Sequence, residues 1–192
     1  MACTSKATRG FTLVELMVTL SVMAVLLAIA VPSFRDTIRR NRVTSASNAL
    51  LATLNYARSE AIDRGQLVTL CPSADAANCT SGGTSWGAGW LVYSYPAGAT
   101  SSNAAYATGN LLLRAATAQN GVSIWAAQST YPSFGLQGQL KPSDSTLRYI
   151  TCFIDSSGTT INSTAIPGVE LDVNSSGTVT SKPLTAGTSC SS

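Results

Sequence analysis

Gly10-Phe11-Thr12-Leu13-Val14-Glu15 is the junction from which the rest of the chain can be read. Before it lies a short polar leader carrying Lys6 and Arg9. After it an apolar run continues through residue 31 with one charge, Glu15, near its start. That run of about 21 residues, as a helix, covers roughly 31 Å, close to the hydrocarbon thickness of a bilayer. A secretory signal peptide has a shorter apolar core and ends on small residues, of which Ala28-Ile29-Ala30 is only a weak version. Residues 11–31 are therefore expected to form a membrane-spanning helix that is retained. Charge counting does not orient it, because Lys6 and Arg9 precede the run while Arg35, Arg39, Arg40 and Arg42 follow it, and the count favours the reverse topology.

Glu15 needs an explanation of its own. A charged side chain at the centre of an apolar helix costs roughly 2.5–3.5 kcal/mol on insertion scales, so it normally has a partner. Residues 11–31 contain no Lys, Arg or His. On the residues alone two readings stay open: a cation supplied from elsewhere, or a carboxylate about one turn inside the run and solvated at headgroup level.

The junction resembles the class III signal of type IV prepilins and type II secretion pseudopilins. The resemblance implies that a prepilin peptidase cuts after Gly10 on the cytoplasmic side and that Phe11 becomes the N-methylated first residue. It further implies that residues 11–31 serve first as inner-membrane anchor and then as filament core, in a pilus outside the cell or a pseudopilus in the periplasm. It also supplies a partner for Glu15, the amino group of Phe11 on a neighbouring subunit, which makes Glu15 an assembly residue.

Composition bounds the remainder of the chain. It has 192 residues, 11% of them charged, with no histidine and a formal charge of +3. Of the 12 basic side chains Lys6 and Arg9 leave with the leader, so ten face nine acidic ones and no strongly charged partner is implied. Five cysteines become four once Cys3 is removed, an even set in a translocated domain: Cys71, Cys79, Cys152 and Cys190. Three pairings are possible. The one expected joins Cys71 to Cys79 around a short loop and Cys152 to Cys190 at the C-terminus, worth roughly 2.6 and 3.9 kcal/mol in the chain-entropy model. A zinc site is not expected, given the spacings and the missing histidine. An enzyme is not expected either, since a Ser or Cys nucleophile has no obvious base. Glu170 and Asp172 share one strand face and so could act as an acid–base pair or hold calcium, but paired carboxylates on an exposed strand are common. No cofactor is implied.

Beyond the membrane run, Val43, Ala46, Leu50, Leu54, Ala57 and Ala61 recur at spacings of three and four, which predicts an amphipathic helix to residue 64, stopped by Gly65. Pro32 falls inside this long helix and is expected to break it by kinking or melting the turn around Ala28. In pilins a proline at the corresponding place marks where the helix loosens in the filament. From residue 66 onward seven β-like runs alternate with turn residues: 66–71, 89–95, 110–115, 122–126, 148–154, 169–173 and 177–181. Residues 74–85, 97–109 and 156–165 are rich in Ser, Thr, Gly, Ala and Asn and read as exposed loops. The expected fold is α+β: a long N-terminal helix packed on a C-terminal antiparallel β domain, with a leader at 1–10, a transmembrane and filament-core helix at 11–31, an amphipathic helix at 32–65 and an extracytoplasmic β domain at 66–192.

Residues 48–61, which end in Ala57-Arg58-Ser59-Glu60-Ala61, then Cys71-Pro72, then Trp86-Gly87-Ala88-Gly89-Trp90, resemble the GspH/FimT family of minor pilins and pseudopilins, especially its FimT and FimU members. Together with the leader and Cys190 this resemblance covers nearly the whole chain. It implies a minor type IV pilin that primes assembly or sits near the pilus tip, with other minor and major pilins as partners. A GspH-like pseudopilin of type II secretion is the alternative. Some FimT proteins bind DNA through a C-terminal Gly-Arg-x-Arg motif; the matching place here reads Gly177-Thr178-Val179-Thr180, with both arginines replaced. Lys182 is left as a weak DNA contact at best, and DNA is not expected as a partner. Trp86, Trp90 and Tyr93 are expected to be core and turn aromatics rather than a ligand platform. Arg58, Glu60, Asp63 and Arg64 are expected to be a solvated helix face; the group from Arg35 to Arg42 either is solvated too or touches lipid headgroups before assembly or acidic neighbours in the filament.

Overall fold

A computed structural model describes residues 10–142 and 146–191; the leader residues before Gly10 lie outside them. The chain divides into two units, one ending at Ile38 and the other beginning at Arg39. A single helix, α1 (Leu13–Arg64, 52 residues), contributes to both.

Through residue 31 the helix of the first unit is apolar on all sides apart from Glu15, and its large side chains face outward: Leu13 is 73% exposed, Leu20 58% and Ile29 71%. A helix with no polar face belongs in lipid or in the core of an assembly. Its few hydroxyls are satisfied internally, with Thr19 Oγ1 donating to the Leu16 carbonyl (2.9 Å) and Ser21 Oγ to the Val18 carbonyl (2.8 Å). Such bonding is what a hydroxyl requires where water is absent. The helix runs continuously through Pro32, so the turn around Ala28 is not melted in the free subunit. Proline removes a single hydrogen bond, to the carbonyl four residues back, and the turns on either side keep theirs.

The second unit starts from the amphipathic part of α1. Val43, Ala46, Leu50, Leu54, Ala57 and Ala61 are all at most 2% exposed. The helix ends in a Schellman motif, with Gly65 at φ +59°, its amide on the Ile62 carbonyl and the Gln66 amide on the Ala61 carbonyl, both at 3.3 Å.

Among the described residues ten strands come after the helix: β1 (Val68–Pro72), β2 (Trp90–Ser94), β3 (Leu111–Ala116), β4 (Val122–Ala126), β5 (Ser133–Phe134), β6 (Leu140–Lys141), β7 (Leu147–Ile154), β8 (Thr160–Ile161), β9 (Val169–Val173) and β10 (Val179–Pro183). They form two antiparallel sheets, ordered β3-β2-β1-β5-β6 and β10-β9-β7-β4, with β8 added to β7. The sheets are stitched by backbone bonds at two seams. Trp86 N donates to Ile124 O and Ala126 N to Thr84 O, both at 2.8 Å, and elsewhere Leu140 N donates to Ser175 O at 3.0 Å.

Strand alternation sorts the core. Val68, Leu70, Trp90 and Val92 of the first sheet and Ile124, Tyr149, Leu171 and Val173 of the second join the helix stripe in one cluster. Trp86 is fully buried in it, edge-on to Tyr149 with ring centroids 5.3 Å apart, and its Nε1 donates to the Gly83 carbonyl (2.8 Å). Gly89 has to be glycine: its φ is +119°, and a Cβ would stand 2.4 Å from the Ala116 carbonyl oxygen.

The opposite faces of both sheets are also covered. On the first sheet Leu67, Cys71, Leu91, Tyr93 and Tyr95 form a second cluster. Residues 97–109 are strapped over it: Tyr106 packs on Tyr93 (5.3 Å), and Asn103 Nδ2 donates to the Tyr131 and Lys141 carbonyls (2.5 and 2.9 Å). On the second sheet Ile150 and Cys152 lie under Leu184 and Cys190 of the C-terminal segment. Both layers are held by disulfides, Cys71–Cys79 (Cα–Cα 5.5 Å) and Cys152–Cys190 (6.1 Å).

Candidate assembly site

The N-terminus of α1 is built by a capping interaction. Thr12 precedes the helix, and its Oγ1 accepts the Glu15 amide at 3.2 Å. Thr12-Leu13-Val14-Glu15 thus has the Thr-x-x-Glu spacing of a capping box, a pattern the sequence displays but which a reading of Glu15 as a membrane charge passes over. Glu15 lies in the first turn, where the helix dipole favours a carboxylate by about 0.3–1 kcal/mol. Its side chain is exposed, and among the described residues no Lys or Arg pairs with it. Gly10 and Phe11 precede the helix, with Phe11 82% exposed. From Leu13 the helix is long and apolar enough to cross a membrane. This end of the chain is thus a bare apolar rod with one carboxylate near its tip that has no partner among the described residues, an arrangement suited to lipid or to a bundle of like helices.

The arginines after the apolar run are not a uniformly solvated face. Arg40 donates Nη2 (2.7 Å) and Nε (3.3 Å) to the Ala165 carbonyl. Arg39 stacks over the Phe153 ring at 5.3 Å, and Arg42 lies against Gly121. Arg58 Nε donates to the Gly138 carbonyl at 3.0 Å. Loop carbonyls and rings distant in sequence create these contacts, so helix periodicity alone could not reveal them. The Glu60–Arg64 pair, by contrast, is an ordinary exposed i,i+4 contact.

Lys182 belongs to a four-charge network on β7, β9 and β10. Its Nζ lies 2.8 Å from Asp172 Oδ2 and 3.4 Å from Glu170 Oε1, while Arg148 Nε lies 2.7 Å from Glu170 Oε1 and 3.3 Å from Asp172 Oδ1. Glu170 is buried, and two cations against two carboxylates leave the network neutral. The bonds to Asp172 and then to Glu170 raise the Lys182 pKa. Partial burial works to raise that of Asp172, but the bonds from Lys182 and Arg148 outweigh it and hold the carboxyl below its usual range. The network borders an open cleft of about 410 Å³ that includes Gln128, Asn174 and Thr180. The Glu170–Asp172 pair is thus committed to ion pairs. Among the described residues no three His, Cys, Asp or Glu side chains converge as metal ligands.

Gly177 takes φ +77° in the β9–β10 turn, and a Cβ there would stand 1.9 Å from the Gly138 carbonyl oxygen. The segment 177–180, at the place of the DNA-binding motif, is thus a packed hairpin without a cation.

Comparison with known proteins gives a consistent family result. Residues 46–181 match the family described as type II transport protein GspH, and residues 5–31 match the prokaryotic N-terminal methylation motif. A fimbrial protein of Pseudomonas aeruginosa is 34% identical over 70 residues, covering 36% of this chain and 46% of that protein. The chain therefore spans about half the length of the curated relatives it matches. Two crystal structures of the P. aeruginosa type IV minor pilin FimU have the same fold at 20% identity. One has a TM-score of 0.52 and covers 77% of this chain and 96% of FimU; the other has 0.50, with 74% and 98%.

Proposed function

The chain belongs to the GspH family, and from that premise we propose that it is a minor type IV pilin, a structural subunit that primes pilus assembly or sits near the pilus tip. The observation that carries the reading is the coincidence of the methylation motif at residues 5–31 with an apolar stretch of helix whose side chains are exposed and whose one carboxylate, Glu15, has no cation beside it among the described residues. In this account a prepilin peptidase removes residues 1–10. Phe11 is methylated, and residues 11–31 pass from the inner membrane into the filament core. There Glu15 receives the Phe11 amino group of a neighbouring subunit, and Pro32 is where the helix loosens. Residues 32–65 and 66–192 form the extracytoplasmic body.

The family description also fits a second reading, a pseudopilin of type II secretion. The two differ in their neighbours. Sheared surface filaments from the native host, probed with antibody to the β domain, should contain this chain together with pilins. Its recovery only from cell-bound material cross-linked to secretion pseudopilins would favour the second reading.

DNA reception is not proposed. In residues 66–192 Arg114, Lys141, Arg148 and Lys182 are matched against Asp75, Asp144, Asp155, Glu170 and Asp172, and two of the four cations are held in the neutral network. Duplex binding depends on cations free to meet phosphates.

A further inference from the structure

Two hairpin turns of the β domain have the same design. Asp155-Ser156-Ser157-Gly158-Thr159 and Asn174-Ser175-Ser176-Gly177-Thr178 differ only at their first residue. In each, the first residue's Oδ1 accepts the amide of the fifth residue at 2.9 Å and the hydroxyl of the third, at 2.6 Å from Ser157 and 2.7 Å from Ser176. Backbone bonds close both turns in the same way, Gly158 to Asp155 and Gly177 to Asn174. The turn therefore needs one side-chain oxygen, and aspartate supplies it. Asparagine at 174 brings an amide nitrogen that the fold does not use. Because the Thr178 amide can only donate, the atom facing it is Oδ1, so Nδ2 lies on the other side of the side chain. Asn174 is exposed, and among the described residues its Nδ2 has no partner.

Asn174-Ser175-Ser176 is also an Asn-x-Ser sequon, one of three Asn-x-Ser/Thr sites in the chain. At the other two the amide nitrogen is in use. Asn78 Nδ2 donates to Asp75 Oδ2 (2.8 Å), and Asn162 Nδ2 donates to the Thr185 and Thr188 carbonyls (2.7 and 3.0 Å). A sugar at either would cost or crowd bonds that tie loops down. At Asn174 it costs none.

We infer that Asn174 is an N-glycosylation site of the exported domain. The donor class is an oligosaccharide linked through pyrophosphate to a membrane lipid, and the transfer is made by a host glycosyltransferase on the extracytoplasmic side. The Asn174 amide nitrogen attacks the anomeric carbon of the donor sugar. The nitrogen–carbon bond forms as the carbon–oxygen bond to pyrophosphate breaks, one amide proton passes to the enzyme's base, and the lipid pyrophosphate leaves. The remaining N–H and Oδ1 stay on the side chain, so the turn keeps its bonds. The inference rests on the export assigned under Proposed function.

The test is peptide mapping by mass spectrometry of the full chain from its native host, digested without reduction so that disulfides are read in the same sample. Oligosaccharide on the Asn174 peptide and none on Asn78 or Asn162 is the expected result. Asn174→Asp, the residue used by the sister turn, should abolish the modification and leave the melting temperature of the unglycosylated chain unchanged. Ser176→Ala should abolish it too, and Ser176→Thr should restore it. An unmodified Asn174 in protein whose Cys71–Cys79 and Cys152–Cys190 bridges are formed overturns the inference and leaves the export reading standing. Sugar on a serine or threonine hydroxyl alone overturns it as well. Free thiols at all four cysteines with an uncut leader would overturn both.

Discussion

Replacing Glu15 with valine should separate assembly from folding. In the free subunit the carboxylate sits in the first turn of α1, exposed and without a cation, so its loss removes about 0.3–1 kcal/mol of dipole interaction there. The Thr12 cap survives, because it uses the Glu15 backbone amide rather than the side chain. In the filament the same change leaves a neighbour's Phe11 amino group buried without its partner, and breaking such a pair from one side costs about 3–5 kcal/mol. The difference, about 2–4.7 kcal/mol, corresponds to roughly a 30- to 2,000-fold drop in incorporation. The assay is quantitative immunoblotting of sheared filaments against the inner-membrane fraction, in a host lacking other minor pilins that could substitute. Melting of the β domain in detergent serves as the folding control and should not change, since Glu15 lies in the other unit. Incorporation of Glu15→Val within about twofold of wild type, at equal membrane level, would refute the ion-pair argument and support a carboxylate that is merely solvated.

Leu50→Ala removes a side chain with 0% exposure from the helix stripe and should cost about 2–5 kcal/mol, read as a lower urea midpoint by the fluorescence of the core tryptophans; a loss under about 1 kcal/mol would mean the stripe is not tightly packed. Asp172 has a lowered folded pKa, so its contribution is present above the unfolded value near 3.9 and is lost as pH falls through the folded value. The gap in melting temperature between wild type and Asp172→Asn should therefore be full at neutral pH and close below about pH 4, and a gap that stays constant into acid contradicts the assignment. Lys182, with a raised pKa, gives the opposite sign: its contribution holds below about pH 10.4 and fades as pH rises further. The full chain in detergent should bind duplex DNA only non-specifically, with a Kd of about 10⁻⁴ M or weaker near physiological salt; micromolar affinity lost in Lys182→Ala would revive a receptor role.

The long-range design was legible because it is periodic. Val43 to Ala61 announce a buried stripe at helical spacing, and the seven runs of alternating or β-branched residues coincide with the longer strands. The three strands not foreseen, β5, β6 and β8, are two residues long and cannot carry a period-two signal. The roles of Arg39, Arg40 and Arg42 were hidden for another reason. Their partners are a ring on β7, a loop carbonyl at Ala165 and the backbone at Gly121, and nothing local distinguishes such an arginine from a solvated one. Residues 97–109 have the composition of an open loop, yet Asn103 and Tyr106 strap it to the first sheet. At Pro32 the helix continues without a melted turn, since one missing hydrogen bond leaves the neighbouring turns in place. At the helix tip the reverse holds: Thr12-x-x-Glu15 is a visible cap, but the larger energy of Glu15 in lipid masks its local use.

The most direct test of the pilin account is the identity of the first residue of the protein recovered from filaments. Intact-mass and N-terminal peptide analysis should find N-methylated Phe11, with Gly10→Val accumulating as uncut precursor in the inner membrane. Filament-borne protein that still begins at Met1 would contradict it.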